Sequence, residues 1–202
     1  MNETENRTGL SAVVAAAGLS SRMGAFKPLL PFDGATVIRR CVEHLRQAGA
    51  AEIVVVVGHR GDEIAEELQG TGADIVFNPS YRETQMFDSL CLGLKALRAP
   101  GCRVLLTPGD VPYVSGELIR SLTERDADFV CPCYGGRRGH PAALASKHIP
   151  ALLAYGGAGG LRGAAEHLGL SVEFVDTPEP GAILDLDTPE DYQKLLHLVQ
   201  EK

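Results

Sequence analysis

Residues Ala12 to Pro31 read AVVAAAGLSSRMGAFKPLLP, and the first six are apolar without a break. A strand with no polar position has no face for water, so it belongs in a parallel sheet covered on both sides. Glu52 to Val57, EIVVVV, repeats the pattern, and Ala73–Phe77 and Cys102–Leu106 read as further strands. Between these runs the apolar spacing turns helical. Val37, Ile38, Cys41, Val42 and Leu45 share one face of a helix over Thr36–Ala48, stopped by Gly49. Ile64, Ala65 and Leu68 mark a second helix and Thr84–Leu97 a third. Ser115 is placed to cap a fourth, another ends at His167, and Thr188-Pro189-Glu190-Asp191 opens the last. Asp128–Cys131, Ser171–Val175 and Ala182–Leu186 read as later strands. Strands and helices alternate almost throughout, which argues an α/β fold: a single-domain, Rossmann-like, mostly parallel sheet with helices on both faces. Residues 1–9 read as a loose tail and 10–202 as the domain.

The balance of charge narrows the partners. With a formal charge of −7 and no block rich in lysine or arginine, the chain is not built for nucleic acid. No apolar stretch approaches the ~18 residues of a membrane span, and the first residues lack the pattern of a signal peptide. Five cysteines, an odd number, read as reduced thiols in a cytoplasm. Cys131-Pro132-Cys133 alone is too sparse for zinc, which wants about four ligands.

In such sheets ligands bind beyond the carboxyl ends of the strands. Three polar groups follow strands in that way: the Gly18–Lys27 loop, Asp110, and the pair Asp185 and Asp187. The loop is not a standard P-loop, since five residues separate Gly18 from Gly24 and no Ser or Thr follows Lys27. It nevertheless offers backbone donors, Ser20, and the cations Arg22 and Lys27, which suits a triphosphate. A tight strand-to-helix turn is the plainer alternative. Asp110 would project into the crevice from its strand end, or simply stabilise its turn. Asp185 and Asp187 flank Leu186, so on a strand they would share one face. Carboxylates brought from separate strand ends suit Mg²⁺, which keeps its remaining positions for water and phosphate.

These residues resemble the molybdenum cofactor nucleotidyltransferase family, above all its cytidylyltransferase branch. The likeness runs through AAAGLSSRMGAFKPLLPF, then PGDVPYV, GRRGHPAAL, GGLRGA and LDLDTPEDY, in the family's order and over nearly the whole chain. It implies the nucleotidyltransferase version of the sugar-nucleotide (GT-A-like) fold. It also implies Mg²⁺-dependent transfer of a nucleoside monophosphate to a phosphorylated small-molecule acceptor, with release of pyrophosphate. By position, Ala16, Ala17 and Gly18 border the base, with Ser20, Ser89, Pro108 and Gly109 also on the nucleotide side. Arg22 and Lys27 meet the phosphates. Asp110 is the first metal ligand, and Asp187 or Asp185 the second. Gly139, His140 and Pro141 match a loop near the acceptor. The Ala17 methyl narrows the base pocket, which favours CTP over GTP. The family implies molybdopterin as acceptor and a molybdenum hydroxylase as possible partner.

Two departures bear on the substrate. Gln85 stands where relatives carry glycine, with Asp88 equally unusual. Gly156-Gly157-Ala158-Gly159-Gly160 replaces a Gly-Asp-Lys-Gly segment. A transferase acting on a sugar phosphate, and a nucleotide-binding chaperone without turnover, therefore stand as alternatives. A hydride-transferring dehydrogenase fits the loop spacing poorly.

Overall fold

The structure, a computed structural model, describes residues 9–19 and 24–200. Its frame is a sheet built on β1 (Leu10–Ala16), with β4 (Ala50–Val57) on one side and β6 (Arg103–Pro108) on the other, both parallel to it. Beyond β4 lies β5 (Asp74–Phe77), also parallel. Beyond β6 comes β9 (Ala142–Ala145), which runs antiparallel to both β6 and β7 (Phe129–Tyr134). The edge is β10 (Val172–Asp176), parallel to β7, while β8 (Arg137–Arg138) folds back on β7 as a short hairpin. A separate hairpin of β2 (Pro31–Phe32) and β3 (Ala35–Thr36) stands off this sheet. The expected mostly parallel α/β architecture is therefore present.

Alternate residues of β1 supply two cores, as the twofold period of a strand requires. Ala12, Val14 and Ala16 face α1 (Val37–Gln47), α2 (Gly61–Glu67) and α4 (Gly116–Thr123). Val13 faces the other way, into the layer of α3 (Met86–Ala96), α5 (Ile149–Ala154) and α6 (Gly160–His167). The helical face expected over residues 36–48 is the buried one: Val37, Ile38, Cys41, Val42 and Leu45 all leave water. Each such side chain contributes roughly 1.5–3 kcal/mol when fully buried. Thr36 and Ser115 cap α1 and α4 through side-chain oxygens, the latter as anticipated. Cys41 and Cys131 are core thiols, and burial pushes both up to about 12.

One expected element does not form. Residues 182–186 are not a strand. A 3-10 turn spans Pro180–Ile183, and an irregular arm leads from it to α7 (Pro189–Gln200). The cause lies in Leu186, which is buried with Phe32, Val37 and Leu195, between the β2–β3 hairpin and α7 rather than against the sheet. The polar–apolar–polar rhythm came from this small satellite core. Among the described residues, no helix is long and apolar enough to cross a membrane.

Candidate active site

The site is set by how close two strand ends come. The backbone N–H of Gly109 donates to the Ala15 carbonyl at 2.9 Å. A Cβ at Gly109 would lie 2.9 Å from both Ala16 Cβ and Ile38 Cδ1, so only glycine lets this loop rest on the end of β1. The next residue, Asp110, is thereby held beside the first loop. Behind it the chain is braced twice. His44 Nδ1 lies 2.6 Å from the Pro112 carbonyl, and the Glu179 carboxylate accepts from the N–H and hydroxyl of Ser115. Burial lowers the pKa of His44, which favours the neutral ring in this brace.

Lys27 opens a short 3-10 turn and is almost wholly buried. Its Nζ donates to Asp187 Oδ1 at 2.6 Å and to Asp110 Oδ2 at 3.3 Å. Groups from the start, middle and end of the chain thus meet at one point. The Asp187 end is fixed by reciprocal capping of α7. Asp191 accepts from the Thr188 N–H and hydroxyl, and Thr188 Oγ1 accepts from the Asp191 N–H. Although 182–186 is no strand, Asp185 still joins the cluster. The residue is exposed, yet its pKa is raised to about 6, first by desolvation of the carboxylate and then by the carboxylates of Asp110 and Asp187, with Lys27 and Arg137 opposing.

A cleft of about 220 Å³ opens beside Lys27 and Asp110. Its floor is Ala16, Ala17 and Gly18 on one side and Pro108 and Gly109 on the other, and Ser89 lies on its wall. The Ser89 hydroxyl is buried and accepts from Asn78 Nδ2 at 3.2 Å; the same amide donates to Thr84 Oγ1 at 2.9 Å. Tyr81 and Thr84 complete that wall and were not singled out from sequence. The one available signal was an aromatic residue just after Asn78-Pro79. His59 lies between Phe26 and Tyr81, with ring centroids 5.6 Å and 6.2 Å away, which extends an aromatic rim to the loop after β4.

The two unusual residues at the start of α3 have a structural job. Asp88 Oδ2 accepts from the Gln85 N–H at 2.7 Å, closing the helix N-terminus. The Gln85 side chain stays exposed at the cleft edge. Gly139, His140 and Pro141 lie at the start of β9, outside the cleft lining, with the His140 N–H donating to the Ala182 carbonyl at 2.7 Å. Burial lowers the pKa of His140, and its Nδ1 is buried with no hydrogen-bond partner among the described residues. Ser20 and Arg22 lie outside the described residues. Among the described residues no group of three or more His, Cys, Asp or Glu side chains is poised to hold a metal. Asp110 and Asp187 share the Lys27 ammonium.

The family model described as "MobA-like NTP transferase domain" matches residues 12–172, which takes in β1, the cleft and Asp110. The chain belongs to the MobA-like NTP transferase family. Of its relatives, the molybdenum cofactor cytidylyltransferase of Escherichia coli K12 is 27% identical over 190 residues, 92% of this chain and 94% of that protein. The bifunctional protein GlmU of Geobacter metallireducens is 33% identical over 117 residues, 57% of this chain but only 24% of its own length. A nucleotidyl transferase structure from Methanothermobacter thermautotrophicus superposes with a TM-score of 0.85 at 29% identity, covering 96% of this chain and all of that one. This MobA-like transferase is thus a nucleotidyltransferase by family, with the fold that its strand pattern implied.

Proposed function

We propose that the protein transfers CMP from CTP to the phosphate of a small acceptor, molybdopterin being the first candidate, and releases pyrophosphate. The observation that carries this is Lys27 held between Asp110 and Asp187 at the edge of a cleft floored by Ala16, Ala17 and Gly18. The similarity to a molybdenum cofactor cytidylyltransferase over nearly all of both chains supports the choice of acceptor. The buried Ala17 methyl in the cleft floor supports a pyrimidine. Transfer of the product to a molybdenum hydroxylase in the cytoplasm would follow from that acceptor.

In the reaction an acceptor phosphate oxygen forms a bond to the α-phosphorus. The bond from that phosphorus to the bridging oxygen breaks, and pyrophosphate leaves with the electron pair. Ala16–Gly18, Pro108 and Gly109 cradle the nucleotide, and Ser89 lies on the side of its base or ribose. Lys27 exchanges its carboxylate partners for phosphate oxygens and offsets the growing charge there, as does Arg22. The donor set is all carboxylate, which fits a hard divalent cation such as Mg²⁺, with Asp110 and Asp187 to hold it and Asp185 competing for the second place. When bound, Mg²⁺ supplies charge neutralisation and orientation of the phosphates. Gly139, His140 and Pro141 lie toward the acceptor.

A panel of CTP, GTP, ATP and UTP against molybdopterin and sugar phosphates, read by pyrophosphate release, tests the reading. CTP with molybdopterin should lead. A GTP preference overturns the base, and a sugar-phosphate preference the acceptor. Asp110→Ala should lower kcat by about 10²–10³ while CTP still binds; a parent chain that turns over with no acceptor would instead be a binding protein.

A further inference from the structure

The β7–β8 hairpin carries two adjacent arginines, and the fold uses them differently. In β8, Arg137 pairs with Tyr134 and Arg138 with Cys133. Neighbours on a strand point to opposite faces. The Arg138 guanidinium lies 4.5 Å from the centroid of the Phe174 ring, so it rests on an aromatic of the edge strand β10 that is still partly exposed. Arg137 turns the other way. It is exposed, makes no hydrogen bond or ion pair among the described residues, and its charge acts on Asp185.

The end of the hairpin is pinned to the segment that delivers the carboxylates. The Gly139 N–H donates to the Pro132 carbonyl at 2.8 Å and the His140 N–H to the Ala182 carbonyl at 2.7 Å. A Cβ on Gly139 would come within 2.2 Å of the Ala182 oxygen, so the two segments touch through backbone alone. Asp185 follows three residues later. Arg137 is therefore an uncommitted cation on a hairpin whose end is tied to the arm that carries Asp185 and Asp187, and the cation of that acidic group, Lys27, is already engaged with Asp110 and Asp187. An anionic acceptor approaching such a group is repelled unless a cation receives it. A guanidinium is suited to that task, because its planar fork meets two phosphate oxygens at once.

We propose that Arg137 binds the anionic group of the acceptor, a phosphomonoester, and holds it beside Asp110 and Asp187, whereas Arg138 serves only the packing of the hairpin on β10. This rests on the transferase reading above. It adds a specificity residue to the reaction and no bond-making step.

Two measurements test it. In steady state, Arg137→Ala should raise the KM for the phosphorylated acceptor about 10-fold or more and leave the KM for the nucleotide within about 2-fold. Arg137→Lys should fall between, and Arg138→Ala should keep both constants while lowering Tm. Independently of turnover, phenyl phosphate is titrated by calorimetry into protein saturated with Mg²⁺ and a non-hydrolysable CTP analogue. Arg137→Ala should weaken this binding about 10-fold and Arg138→Ala should not. Equal binding by the parent and Arg137→Ala, equal loss in both arginine variants, or no binding by the parent overturns the proposal. If phenyl phosphate binds through Arg137 but no acceptor yields pyrophosphate, the anion site stands and the transferase reading fails. If turnover is found and Arg137→Ala leaves the acceptor KM unchanged, the reverse holds.

Discussion

Asp185 is the residue at which the cost of crowding carboxylates is best measured. Folding raises its pKa to about 6, through desolvation first and then Asp110 and Asp187, although the residue is exposed. In the unfolded chain a carboxylate of this kind titrates near ~3.9. Between those values the native state holds more protons than the unfolded state, so stability falls as pH rises through that window. Solvent still reaches the side chain, which screens the effect to about 1 kcal/mol rather than the ~3 kcal/mol of a fully buried shift. Asp185→Asn deletes the titration. In EDTA, urea unfolding should show the variant more stable than the parent at pH 7.5, with the gap closing toward pH 4. A gap that does not change with pH would mean that Asp185 ionises in the folded protein as it does in the unfolded chain. The same cluster explains the value of Lys27: one buried cation relieves two carboxylates at once.

Among the elements, the arm from the 3-10 turn to α7 matters most, because it carries Asp185 and Asp187 with no sheet partner among the described residues. Leu186 is its anchor, fully buried with Phe32, Val37 and Leu195. Leu186→Ala should cost about 2–5 kcal/mol in urea unfolding. At a temperature where the variant remains folded, kcat should also fall, since Asp187 loses its fixed approach to Lys27. Destabilisation with unchanged kcat would separate the anchor from the site. This arm also shows where sequence was misleading. A buried leucine between two aspartates has the rhythm of a strand, and nothing local reveals that its burial comes from a hairpin some 150 positions earlier. The buried parallel strands posed no such difficulty, because EIVVVV is apolar on both faces and each face has helices to meet. The antiparallel β9 in mid-sheet is not legible in the sequence: AALA is short and small, with no alternation to betray a strand. Lys27, Asp110 and Asp187 were legible as chemistry, since cations after a small-residue turn and carboxylates after apolar runs stand out. Tyr81 and Thr84 were not, because a wall residue needs only shape and carries no charge pattern. Gln85 and Asp88 read as bearing on the substrate; the Asp88 carboxylate accepts from the Gln85 N–H at the start of α3, and Gln85 also lines the cleft.

At the scale of the whole molecule, the site is held together by contacts that span the sequence. Lys27 reaches Asp110 across 83 positions and Asp187 across 160. The sheet is continuous from β10 to β5, and its two cores share β1 as their midline. A ligand that fills the cleft and engages Lys27, Asp110 and Asp187 therefore binds only when the early loop, β6 and the C-terminal arm are in place together. Binding to the native state alone adds stability by mass action, about 2.7 kcal/mol at a hundred times Kd. CTP with Mg²⁺ should accordingly raise the Tm of the parent chain as a single cooperative transition. Asp187→Ala should remove most of the rise, while Arg138→Ala, with its guanidinium on the far side of the hairpin, should lower the starting Tm and keep the rise. Two resolved transitions, with only one responding to nucleotide, would mean that the arm and α7 unfold apart from the sheet. The three charged groups would then be brought together by binding rather than by the fold.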